Sequence, residues 1–478
     1  MDQDWVGADV KGNSPVKRHP SFDTWISGSP HDSDEYDTDL EEKEAKLGQK
    51  QKSPPKSDGT GAVQYEALCR KHGFIPISYL RRHLGKRNIR MRHHYLGGRA
   101  ARPLAAAFRH NTITETLDLS DNYLESTGAN LSNNFIESYG CKAMADMLDS
   151  NTTLKSLSLA GNRLMDRDAY YFIEPLKNNL SLVCLDLSNN DFGEMGGLHL
   201  GAAVGGNDSI SELDLSWNAI RGRGAVAFAN ALKVNTFLEV LDLAWNGFGG
   251  DGTIALGQAL MVNTYIRVLD LTNNRIDKPT AIKFGNSLKK NYGLETLILN
   301  LNPLGDQGIE SILKAADVHP SLKFLSVEEM GINPENLHHI MQLQHERGMI
   351  ILHGGSGGYQ RNTSLQSVLR LLKQFAREHM ADVETAFQGQ DKERSGILTA
   401  EETKMCLRSA GLRLTGRQLD LLIEEIDFSH SGHIRYREIL SGKLFAEYHK
   451  RRPSRGFNLQ DEPMIVQNLT SEESDTGA

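Results

Sequence analysis

Two twelve-residue segments toward the C-terminal end carry oxygen-bearing side chains at spacings that suit a hard cation. The first runs Asp391-Lys-Glu-Arg-Ser-Gly-Ile-Leu-Thr-Ala-Glu-Glu402, the second Asp427-Phe-Ser-His-Ser-Gly-His-Ile-Arg-Tyr-Arg-Glu438. Each has Asp at position 1, Ser at 5, Gly at 6, an aliphatic residue at 8 and Glu at 12, and their starts lie 36 residues apart. Oxygens at positions 1, 3, 5, 7, 9 and 12 converge on one ion when glycine at 6 permits a sharp turn, and calcium takes such a set. In the first loop Asp391, Glu393, Ser395, the Ile397 carbonyl, Thr399 (through water) and Glu402 supply the donors. Glu393 stands where Asp or Asn is usual, and its extra methylene lowers the expected affinity. The second loop offers Asp427, Ser429, Ser431, the His433 carbonyl and Glu438, but Arg435 occupies position 9 and Arg437 adds another positive charge. Calcium is therefore the expected cofactor, with the first loop the better site.

What positions these loops is a chain dominated by repetition. Reading for Leu-x-Leu-x-x-Asn-x-(Leu/Ile/Phe) finds Leu157/Leu159/Asn162/Leu164, and again at Leu185, Leu213, Leu241, Leu269 and Leu297. Asn134, Asn162, Asn190, Asn218, Asn246, Asn274 and Asn302 are each 28 residues apart. A second column, Asn151 to Asn291, keeps the same period, and so does a third of glycines at 140, 196, 224, 252 and 308. The Leu-x-Leu segment alternates with period two, a short strand with leucines inward. The remainder of each repeat is long enough for two to three helical turns. Each recurrent Asn belongs where the strand turns, its amide satisfying buried backbone groups. One repeat cannot offset the ~1–2 kcal/mol per residue that ordering a backbone costs, so stacking is obligatory. These columns resemble the leucine-rich repeat family, in its long ribonuclease-inhibitor-like class. That resemblance implies an α/β horseshoe with parallel inner strands, outer helices and a protein-binding concave face. The two loops likewise resemble a paired EF-hand, a small all-α unit. Repeats followed by hands resemble the leucine-rich repeat-containing protein 74 group, which implies no catalytic residues.

Both ends of the array stay in register. Ile89, Met91 and Leu96 fall in the leucine columns, as do Leu325 and Val327, and Ile350 with Leu352 is expected to form a capping strand. One place breaks step. Leu117/Leu119/Asn122/Leu124 and Leu131/Asn134/Ile136 both read as strand motifs, yet their asparagines are 12 apart. This is expected to be a repeat lacking 16 residues, helix included, and hence a weak joint.

On the expected concave face Asp186, Asp214, Asp242 and Asp270 share one outward strand position, and strands ~4.8 Å apart make them a carboxylate ladder. Trp217 and Trp245 precede the recurrent Asn in neighbouring repeats, either as interface anchors or as a stack that stiffens the array. These six residues are the expected partner-binding set. Enzyme-like patterns are absorbed by the repeats or lack a scaffold. The GxGxxG at Gly247–Gly252 shares Gly252 with the glycine column, and the GxSxG around Ser356 lies in a glycine run. No GxxxxGK(S/T) or HExxH occurs.

Composition sets the outer limits. The chain has 478 residues, with 53 Lys and Arg against 61 Asp and Glu, a net charge of −8 that argues against a general nucleic-acid binder. No apolar run is long enough to span a membrane, the first residues carry no apolar leader, and the four cysteines show no paired spacing. Residues 32–44 hold eight carboxylates, so 1–62 reads as a disordered acidic tail. The stretch from Arg70 to Arg109 is basic, a polar cap over the array. The expected organisation is a repeat domain at 63–353, a Gly-rich linker at 354–363, an EF-hand pair at 364–452 and a disordered acidic tail at 453–478. The function expected is that of a cytoplasmic, non-enzymatic scaffold holding a protein on the concave face, with no nucleic acid, membrane span or small-molecule substrate. The alternatives are a GTPase activator of the Ran-activator type, implied by the repeat class, and a calcium-switched adaptor.

Overall fold

The structure is a computed structural model that describes residues 59–73, 75–94, 96–122, 139–354, 364–412, 414–427 and 431–442. Most of the acidic N-terminal tail, the motif at Leu131, Asn134 and Ile136, the linker from residue 355, Ser429 and the C-terminal tail lie outside these residues.

Within the described residues each segment in register with the repeat becomes a three- or four-residue strand. They are β1 (Asn88–Arg90), β2 (Thr116–Asp118), β3 (Ser156–Ser158), β4 (Cys184–Asp186) and β5 (Glu212–Asp214). They continue with β6 (Val240–Asp242), β7 (Val268–Asp270), β8 (Thr296–Ile298), β9 (Phe324–Val327) and β10 (Ile350–His353). All ten pair in chain order in one parallel sheet. Helices α1 (Ala62–His72) and α2 (Ser78–His83) precede β1. Between strands run α3 (Gly97–Arg109), α4 (Tyr139–Leu148), the pair α5 (Asp166–Tyr171) and α6 (Ile173–Asn178), and α7 (Glu194–Gly205). They are followed by α8 (Gly222–Ala231), α9 (Gly249–Leu260), α10 (Lys278–Leu288), α11 (Gly305–Val318) and α12 (Pro334–Arg347). The inward leucines, Leu117 through Leu325, are buried beneath the helices in one continuous core. The architecture is a leucine-rich-repeat solenoid of the α/β class. No helix among the described residues is long and apolar enough to cross a membrane.

The two asparagine columns are the polar skeleton of this stack. Asn235 shows the pattern of the second column. Its Nδ2 donates to the carbonyls of Val204 and Asn207 in the preceding repeat, and its Oδ1 accepts from the N–H groups of Phe237 and Leu238. Asn151, Asn179, Asn263 and Asn291 repeat the arrangement. In the first column Asn274 donates to Leu243 and Thr272 carbonyls and accepts from Phe248. The glycine column has a steric cause: a Cβ at Gly224 would stand 2.0 Å from the Glu194 carbonyl oxygen, so only glycine lets α8 lie this close to α7.

The short repeat expected between Asn122 and Asn134 is not what forms. β2 pairs directly with β3, Leu117 opposite Leu157, and the Asn122 N–H donates to Asn162 Oδ1. The sheet therefore advances one strand over 40 residues rather than 28, and α4 supplies the outer helix, packed against α3. Counted along the sequence, the step from Leu117 to Leu157 is 40 residues, twelve more than the 28-residue period. Asn122 takes the sheet position, and α4 covers the helix face of α3 that a shortened repeat would have left open.

Beyond β10 come α13 (Ser364–Glu378), α14 (Met380–Gln390), β11 (Leu398–Thr399), α15 (Ala400–Ser409), α16 (Gly416–Ile426), β12 (His433–Ile434) and α17 (Tyr436–Leu440). The apolar pattern from Leu365 to Phe387 yields two helices, broken at His379 (φ −125°, ψ 34°). β11 and β12 pair antiparallel through Leu398 and Ile434, tying the two loops together. Phe387, Leu407, Leu419 and Ile434 lie in the second core beneath them.

Candidate functional site

Loop one is already turned inward. Asp391 Oδ1 accepts from the Ser395 N–H (3.0 Å) and hydroxyl (3.2 Å), and its Oδ2 accepts from the Gly396 N–H at 2.7 Å. Gly396 takes φ +76°, the left-handed turn for which position 6 needs glycine. The Ser395 hydroxyl also lies 3.1 Å from the Ile397 carbonyl oxygen, so three of the expected donors sit together. Tyr436, from the other hand, donates its hydroxyl to Asp391 Oδ2 at 3.0 Å. Together these donors hold the Asp391 carboxyl below its usual range despite its burial.

The position-12 carboxylate faces elsewhere. Glu402 Oε2 accepts from both the N–H and the hydroxyl of Thr399 at 2.9 Å, and Thr399 in turn caps the Glu402 N–H. This is a capping box that starts α15. Glu402 thus has two possible occupations, helix cap or loop ligand. Among the described residues no three His, Cys, Asp or Glu side chains converge as a metal-holding group. Loop two repeats the turn, with Asp427 accepting from Ser431 and Gly432 and the Ser431 hydroxyl beside the His433 carbonyl. Its Glu438 forms an ion pair at 3.6 Å with Arg435, the cation at position 9. Hard oxygens in loop one fit calcium; in loop two a fixed positive charge competes for the closing carboxylate.

The outward face of the strands holds the C-terminal helices. Arg408 of α15 pairs with Glu212 of β5 at 2.7 Å, and Glu401 at the other end of α15 pairs with Arg90 of β1. Lys404, between them, bridges Glu401 and Asp420 of α16. At the far end of the sheet Leu371 of α13 packs on Ile298, Phe324 and Leu352. None of these contacts was visible in the sequence, because no periodicity links α15 to β1 and β5.

The four aspartates of the ladder do lie at one outward position. Adjacent strands pair Asp186 with Asp214, Asp214 with Asp242, and Asp242 with Asp270. Each also works locally: Oδ1 of Asp186, Asp214, Asp242 and Asp270 accepts the N–H two residues on, at the strand's end. Burial and the charge of Asp186 push the Asp214 carboxyl up to about 7. Trp217 and Trp245 lie at the turns beyond the strands, rings stacked at 4.2 Å and 8°, Trp217 still 45% exposed. Both take positive φ, with N–H groups donating to Ala244 and Thr272. Within the expected basic cap Arg81 pairs with Glu66, Arg87 with Glu115 and Arg92 with Asp118.

With fold and loops in place, comparison with known proteins locates the chain. The family described as Leucine Rich repeat matches residues 150–172, 206–229, 234–257, 262–285 and 294–313. The array is thus built of leucine-rich repeats. Two curated relatives match a short part of the chain. Troponin C, isoform 1, of Drosophila melanogaster is 36% identical over 70 residues, 15% of this chain and 46% of that protein. Calcium-binding protein SPEC 1A of Strongylocentrotus purpuratus is 32% identical over 68 residues, 14% of this chain and 45% of that one. The chain spans about half the length of these relatives. Among solved structures, Leiomodin-1 Actin-Binding Site 2 shares 18% identity with a TM-score of 0.24, covering 39% of this chain and 86% of that one.

Proposed function

We propose that this chain is a non-enzymatic, cytoplasmic protein-interaction scaffold, with a repeat domain at 63–353 that holds a protein and an EF-hand pair at 364–452 that holds calcium in its first loop. The order of the two parts supports placing it with the leucine-rich repeat-containing protein 74 group. The observation that carries the reading is that the strand face accommodates a folded helix of the same chain, seated through Arg408 on Glu212. A surface that receives one helix through a half-buried ion pair is suited to receive another. The stacked Trp217 and Trp245, at the border of that face, supply the kind of aromatic anchor that concentrates binding energy. In loop one Asp391, Glu393, Ser395, the Ile397 carbonyl, Thr399 and Glu402 would hold calcium, which supplies a charge that gathers six to eight oxygens.

Two measurements test this. Replacing Trp217 and Trp245 together by Ala should weaken capture of a bound protein by about 2 kcal/mol or more; unchanged capture with a lower melting temperature would make the pair a stiffener only. In calorimetry with calcium chloride, Glu402→Gln should abolish the binding heat and Glu438→Gln should leave most of it. If Glu438→Gln is the damaging change, the ranking of the loops is reversed.

A further inference from the structure

We infer that the C-terminal helical pair is an intramolecular cover on the strand face, held by α15, and that Glu402 couples this cover to loop one. The inference rests on the calcium reading proposed above and adds regulation to it. Glu402 holds the first turn of α15 by accepting from Thr399. The same turn carries Glu401, whose partner is Arg90 on β1, and the last turn carries Arg408, whose partner is Glu212 on β5. Both ends of one helix are thus pinned to the array. Its start is set by a carboxylate that loop one also requires. When Glu402 joins Asp391 as a ligand, it leaves the Thr399 cap. Drawing Glu402 to Asp391 pulls the first turn of α15 toward the loop, and Glu401 within it away from Arg90, while the Thr399 hydroxyl still caps the Glu402 N–H. Ligation in loop one and seating on β1 and β5 therefore compete, and coupling of this kind is reciprocal.

The structure supplies its own reporter. Cys184 lies on the outward face of β4, opposite Glu212 in the sheet, and is partly covered. Burial first and the Glu212 charge second push its thiol up to about 12 against the smaller opposing pull of Arg408, so the covered thiol is slow to alkylate. The other three cysteines, Cys69, Cys141 and Cys406, are buried in the cores.

The test uses the full chain, iodoacetamide with peptide mapping at Cys184, and calcium calorimetry in parallel. Calcium should speed Cys184 alkylation about tenfold, within the usual range of coupling between sites, and Glu402→Gln should remove the acceleration. Arg408→Glu should give fast alkylation without calcium and raise calcium affinity by a similar factor. Because Arg408→Glu could act by unfolding, Glu212→Arg is added to it; restored slow alkylation in the double variant shows that the ion pair was responsible. Slow alkylation in Arg408→Glu overturns the cover. Binding heat with unchanged Cys184 reactivity overturns the coupling. Absence of heat in every variant overturns the loop-one reading itself, an outcome distinct from the other two.

Discussion

Asn235→Ala should destabilise the repeat array by at least about 3 kcal/mol, although it removes no apolar contact of note. The amide makes four hydrogen bonds, two to carbonyls of the preceding repeat and two from N–H groups of its own turn. The site is buried, so water cannot replace them. Each buried group left unsatisfied costs roughly 1–3 kcal/mol, and the Asn207 carbonyl and the Phe237 and Leu238 N–H groups all lose this partner. The loss falls on the junction between two repeats, and in a stacked array the junction is the unit of cooperativity. Urea unfolding with hydrogen exchange should show protection falling first in α8 and α9. Thr236→Ala, an exposed neighbour, is the control and should stay within about 0.5 kcal/mol. Equal stability of Asn235→Ala and Thr236→Ala would mean that the column is decorative.

The parts of this molecule that were legible in the sequence are those that the stack itself repeats. Leu213 and Leu241 lie one above the other because each faces the same core, and Asn207 and Asn235 because each meets the same strand entry. The glycine column was legible as a period, while its cause, the Glu194 carbonyl against Gly224, needed coordinates. The misreading at Asn122 and Asn134 came from the same strength. Asn122 carried a full strand motif and Asn134 all but its first leucine, but the sheet takes one strand per turn of the solenoid, and only the pairing of Leu117 with Leu157 shows which. In the C-terminal pair the loop oxygens were legible because ligand spacing is local. The seat of α15 was not, since Arg408 and Glu212 meet only after both halves have folded. Their charges were in the sequence; their pairing was not.

Counting 28 onward from Asn291 reaches His319 and then Arg347, and the acid stability of the C-terminal end of the array should turn on the first of them. His319 does the work of the missing asparagine. Its Nδ1 accepts from the Ser321 and Leu322 N–H groups at 3.3 and 3.1 Å, leaving Nε2–H to donate to Asn291 Oδ1 at 3.1 Å. Only the neutral ring fits, because a proton on Nδ1 would face two donors. Arg347 continues the column, donating to the carbonyls of Ala316, Asp317 and His319 at the end of α11. Burial first, and the Arg347 charge second, push the His319 pKa down to about 4 from 6.5. A histidine depressed in the folded state contributes its full stability above about pH 6.5 and loses it as pH falls toward 4, where the unfolded chain alone takes the proton. Across that window the loss should reach about 3 kcal/mol. Glu328, pushed up to about 7 by burial, carries the opposite sign, so the wild-type profile alone would mix the two. Comparing the chain with His319→Asn isolates the histidine. At pH 7 the two should open with similar free energies over residues 319–353, and at pH 4.5 the His319→Asn chain should be the more protected by about 2 kcal/mol. Parallel profiles would show that the folded chain accepts the proton at His319, and that a charged ring can stand in the asparagine column after all.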